Sequence, residues 1–100
     1  MAYEAGSLDQ TIAAAAGDDP ALFVELKRAF AESIARQIDL LRRARCDGNW
    51  HVAGHRLKGI AGSFHAQALI ALADEAIDGA PGDPVVLRRL QQFLDEFSGS

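Results

Sequence analysis

Phe23, Leu26, Phe30, Ile34, Ile38 and Leu41 follow one another at steps of three and four residues, and that spacing admits one regular structure. On an α-helix these side chains form a single stripe, whereas on a strand, whose faces alternate at every residue, they would scatter to both sides. Asp19-Pro20 supplies the N-cap and the first-turn proline of this helix. The pattern carries it to about Arg45, where Asp47-Gly48 is expected to stop it.

The rest of the chain repeats the same grammar. Ser7 is placed to cap a short first helix running through Ala16 and ended by Gly17. Asn49 is placed to cap a third helix with apolar positions Trp50, Ala53, Leu57, Ile60 and Phe64, of which Leu57 and Phe64 are assigned to the core. Leu69, Leu72, Ala73 and Ala76 mark a fourth helix ending at Gly79. After the turn Ala80-Pro81-Gly82, Asp83-Pro84 opens a last helix striped by Val86, Leu87, Leu90, Phe93, Leu94 and Phe97. Four amphipathic helices with short connections predict an all-α fold, an antiparallel up-and-down four-helix bundle with a short extra N-terminal helix. One hundred residues, 49% hydrophobic and 24% charged, suit one domain over residues 1–100 with its core at about 19–97, and leave no room for an ATP-binding module.

No apolar run approaches the roughly 18 residues of a membrane span. Met1 to Asp19 carries Glu4, Asp9, Asp18 and Asp19 without a lysine or arginine, the wrong charge for a secretory leader. The expectation is a monomeric cytoplasmic protein, or the cytoplasmic part of something larger, with no membrane partner. Cys46 is the one cysteine, so neither an internal disulfide nor a cysteine-based zinc cluster is available, and it reads as a plain helix-end side chain. The net charge is −4, yet from Glu25 to Lys58 eight basic residues face four acidic ones, which makes that segment +4 and the remainder −8. A basic zone on an acidic chain suits an acidic pocket or a phosphoryl group better than nucleic acid.

The segment from His51 to Ser63 holds residues that a helix does not need for folding. At about 100° per residue, with His55 at zero, His51 falls near −40°, Lys58 near −60°, Gly59 near +40° and Gly62 near −20°, while Leu57 lies near −160° on the core side. His55 thus faces outward between a lysine and two glycines. Each glycine costs a helix interior roughly 1 kcal/mol relative to alanine, and clearance for an approaching protein surface accounts for both. An exposed imidazole at neutral pH is in good part an uncharged nucleophile. Lys58 is placed to set an ammonium beside the oxygens of a phosphoryl group in transfer.

His55-Arg56-Leu57-Lys58-Gly59-Ile60-Ala61-Gly62-Ser63 resembles the signature of histidine-phosphotransfer domains, His-x-Leu-Lys-Gly followed by small residues and a glycine. Leu22-Phe23 through Asp47-Gly48-Asn49-Trp50 looks like that family's second helix and the turn after it. Ala66, Leu69 and Leu72 fall where the family places small and leucine residues. The resemblance implies a phosphocarrier of a His–Asp phosphorelay, neither kinase nor ATPase, of the kind found in bacterial two-component signalling. In that reading His55 is phosphorylated on Nε2, Lys58 supports the phosphoryl charge, and His51, Arg56, Gly59 and Gly62 meet the partner, with help from the helix face bearing Arg36 and Arg43. The partners implied are response-regulator receiver domains or a hybrid histidine kinase, and the receiver brings the Mg²⁺, so the chain needs no cofactor of its own. Two positions depart from the pattern: His65, where glycine is usual, and Ile77, where an acid is frequent. A residue as bulky as His65 could alter the connection to the next helix, or bring a second imidazole near the site.

Other classes leave weaker marks. His51 and His55 are spaced i,i+4, and His65 with several carboxylates could complete a metal site, but the metalloprotease glutamate is missing. A docking module that binds a receiver without transferring phosphate needs the same surface and would tolerate His55→Gln. A dimerising kinase core is disfavoured, because no histidine is followed by a His-Glu/Asp-x-Arg-Thr/Asn-Pro box.

Overall fold

Both Asp-Pro pairs open helices as their chemistry requires. In a computed structural model, which describes residues 4–99 and side-chain surroundings from Leu8 onward, Asp19 Oδ1 accepts hydrogen bonds from the N–H groups of Ala21 (3.0 Å) and Leu22 (3.2 Å). Asp83 Oδ1 accepts one from Val85 at 3.0 Å. Each carboxylate satisfies backbone donors that the first turn leaves without partners. The described residues form five helices and no strand: α1 Glu4–Ala16, α2 Pro20–Arg43, α3 Asp47–Ser63, α4 Gln67–Asp78 and α5 Pro84–Gly99. None of them is long and apolar enough to cross a membrane.

Helix packing forms a closed circuit, α2 on α3, α3 on α4, α4 on α5 and α5 back on α2, with α1 laid against α2. The stripes meet inside it. Ile34, Ile38 and Leu41 of α2, Trp50 and Leu57 of α3, Leu69 and Ala73 of α4 and Leu90 and Phe97 of α5 are buried together. Burying a side chain the size of Leu57, which has no exposed surface, contributes roughly 1.5–3 kcal/mol relative to leaving it in water. Phe30 holds two edge-on ring contacts, with Phe64 at 4.8 Å and Phe97 at 5.7 Å between centroids, a geometry that aromatic quadrupoles favour. Phe64 itself is only partly buried, since it caps α3 where that helix leaves the core.

Three boundaries differ from the sequence expectation. Ser7 lies inside α1 and is not its N-cap, because the helix is already formed at Glu4. α2 ends at Arg43, with Ala44 as its C-cap. Asp47 and Gly48 do not stop it; they are the first turn of α3, whose N-cap is Cys46, and Asn49 sits inside the helix. The reason is that Ala44 and Trp50 are both buried, so the chain must turn within a few residues, and an aspartate in a first turn is favoured by the helix dipole. The core also takes in Leu8 and Ile12 of α1, ahead of its expected start near residue 19. Lys27 ties that helix down: its ammonium is 3.2 Å from Asp9 Oδ1 and 5.0 Å from the ring centre of Phe97, joining α1, α2 and α5 at one charge.

Candidate functional site

α3 presents two unlike faces. Trp50, Ala53, Leu57 and Ala61 are buried, and the helix is locked to the end of α4 by side chains at its start. A helix leaves its last carbonyls without intrahelical partners. Trp50 Nε1 donates to the Ala76 carbonyl, and His51 Nε2 lies 3.0 Å from the Ile77 carbonyl, a contact that requires the nitrogen to donate. Gly54 belongs to the same seam. A Cβ built there would come 2.9 Å from Ile77 Cγ1, closer than carbon atoms pack.

The outward face carries His55, Arg56, Lys58, Gly59 and Gly62, all exposed, as is His51. A Cβ at Gly59 or at Gly62 would meet nothing within 4 Å. Helix-on-helix packing therefore does not explain either of them. The Gly59 carbonyl accepts the Ser63 hydroxyl at 3.0 Å, which satisfies the hydroxyl along the helix. Lys58 does not stand free beside His55: its ammonium is 2.8 Å from Asp74 Oδ1 of α4, with both side chains about half exposed.

Arg56 leads away from His55 toward α2. There Leu40, Arg43, Ala44, Asn49, Val52 and Ala53 join it around an open groove of about 330 Å³. Leu40 is 43% exposed and Val52 50%, so the groove offers apolar surface beside two guanidinium groups. Arg43 is braced by Asp39 at 3.0 Å. Arg36, grouped with Arg43 from the sequence, instead bonds Ser33 Oγ at 3.3 Å and does not line the groove.

The connection after α3 explains the departure at His65. Its φ is +57°, the only positive value at a non-glycine among the described residues. His65 N–H bonds the Gly62 carbonyl at 3.2 Å and Ala66 N–H reaches back to the Ala61 carbonyl at 2.9 Å, with Ala61 and Ala66 both buried. This is a left-handed helix ending of the kind that glycine fills most easily, so histidine occupies a backbone position strained by roughly 1–2 kcal/mol. The helix ends at Ser63, with Phe64 as its C-cap. His65 lies past the end of α3, and the helix from His55 to its last residue, Ser63, already spans about 12 Å, which sets the two imidazoles apart. No three histidine, cysteine, aspartate or glutamate residues among those described come together as metal ligands.

Sequence reasoning missed Asp74 and Gly54, because both act through the register of α4 on α3. The signal was present in principle: Lys58 and Asp74 stand equally far from the α3–α4 connection at Ala66, where paired helices bring residues together. In chemical terms the site offers an imidazole reachable from solvent, an ammonium held one turn away, backbone cleared of side chains and an open groove lined by apolar and guanidinium groups beside it. Compared with protein-family models, curated proteins and solved structures, the chain matches none.

Proposed function

We propose that this chain is a histidine-phosphotransfer module, an antiparallel four-helix bundle on which His55 carries a phosphoryl group between aspartates of receiver domains. The observation that carries the reading is the bare surface around His55, since Gly59 and Gly62 leave more than 4 Å of open space where any other residue would place a Cβ. Opposite contact order along α3 and α4, with Gly54 meeting Ile77 and Lys58 meeting Asp74, supports the antiparallel arrangement. So does the closed circuit from α2 to α5.

In the transfer the Nε2 lone pair of the Nδ1–H tautomer forms a bond to phosphorus as the acyl P–O bond breaks, and the electron pair leaves with the receiver's carboxylate. The reverse step returns the phosphoryl group to an aspartate. Lys58 supplies positive charge at the oxygens, while the groove between α2 and α3 holds the partner in line. The receiver brings the Mg²⁺. The chain acts as a monomer in the cytoplasm, with neither kinase nor ATPase activity of its own.

The test is incubation of the chain and its His55→Gln variant with phosphorylated receiver domains. Acid-labile, base-stable label on the parent chain alone is the expected result. Receivers that bind the chain but leave it unlabelled would overturn transfer and make it a docking module, the reading favoured by the groove taken by itself.

A further inference from the structure

Lys58 is bound to the wrong partner for a residue that stabilises a phosphoryl group. Its ammonium rests on Asp74 Oδ1 at 2.8 Å, on the neighbouring helix. Asp47 is the only acid of α3 and sits in its first turn. On α4, Glu75 is engaged by Arg89, and Ile77 turns an apolar side chain to Gly54. α4 carries three acids, Asp74, Glu75 and Asp78, and Asp74 is the one whose carboxylate pairs with a residue of the His55 face.

The pair is built to be broken. The side chains of Lys58 and Asp74 are 46% and 47% exposed, and ion pairs so open to water contribute little. Lysine is a point charge on a flexible four-carbon stem. It stands one turn from His55 on the same face, at the spacing where helical side chains touch. Gly62, one turn further on, puts nothing in the way of its swing. A phosphoryl group on Nε2 would present about two negative charges against the single charge of Asp74.

Resting on the phosphotransfer reading, we propose that Asp74 is a positioning residue that parks Lys58 while His55 is bare and competes for it once His55 is phosphorylated. Asp74 thereby keeps the phosphoryl group easy to pass on. Phosphorylation transfers the ammonium from Asp74 to the phosphoryl oxygens and leaves the Asp74 carboxylate in water. Removing the Asp74 charge abolishes both the resting pair and the competition, and each change favours phosphoryl on His55.

The experiment uses the full chain and phosphoramidate as donor, whose P–N bond breaks as the new N–P bond forms and ammonia leaves. At fixed phosphoramidate and excess ammonia, ³¹P NMR reads the equilibrium fraction phosphorylated. Asp74→Asn is expected to raise the phosphorylation equilibrium constant about two- to five-fold, and Asp74→Glu to stay near the parent value. In a Lys58→Ala background, Asp74→Asn should change it far less. Thermal unfolding of each variant separates these effects from loss of fold. Equal constants for the parent and Asp74→Asn, or the same change with and without Lys58, overturn the role of Asp74 while His55 labelling stands. If the parent takes no label on His55 from either phosphoramidate or receivers, the phosphotransfer reading falls and this role falls with it.

Discussion

Gly54 and the pair Gly59 and Gly62 are the same residue on the same helix, and they answer to different demands. Gly54 is buried and lies under Ile77, where a single added carbon would come within 2.9 Å of Cγ1. Gly59 and Gly62 look into open space. The first glycine lets α3 and α4 close together, so it serves the fold. The other two weaken the helix and improve no internal contact, which is what the proposed clearance around His55 requires.

That contrast can be broken by filling each position. Gly54→Val should have the largest effect, lowering stability by about 1–3 kcal/mol through overpacking against Ile77, measured by chemical denaturation. A stability equal to the parent's would mean that the α3–α4 seam yields and that Gly54 is not a packing residue. Gly59→Ala and Gly62→Ala should do the opposite, each raising stability by up to about 1 kcal/mol while slowing phosphotransfer from a receiver. Transfer at the parental rate would remove the clearance argument. The smallest change is His65→Gly, expected to add about 0.5–1 kcal/mol as the left-handed strain is relieved, partly offset by the greater freedom of glycine in the unfolded chain. Because His65 is remote from His55, that variant should keep the parental transfer rate, which sharpens the distinction between strain at the helix end and function on its face.

Much of this was legible from residue order. Periodicity located the helices, and the two Asp-Pro pairs fixed the starts of α2 and α5, because a capping carboxylate and a proline act within one turn of chain. Asp47-Gly48 was misread since glycine after a long stripe resembles a stop, and only the burial of Trp50 shows that these residues begin the next helix. The outward position of His55 followed from rotation alone. What rotation could not supply was the neighbour. The ion pair of Lys58 with Asp74, the contact of Gly54 with Ile77 and the hold of His51 on the Ile77 carbonyl all depend on how far α4 slides along α3. The weight of α1 in the core was missed as well, because its Leu8, Ile12 and Ala16 make a narrow stripe in an alanine-rich stretch.

The buried indole gives the molecule an optical property of its own. Trp50 is the single tryptophan, has no exposed surface and is hydrogen-bonded across the α3–α4 seam, five residues before His55. Indole emission from this chain therefore has one origin, at the joint on which the orientation of the His55 helix depends. Its colour reports whether that joint is dry, and a partner that settles on the outer face without prising the helices apart leaves the spectrum unchanged.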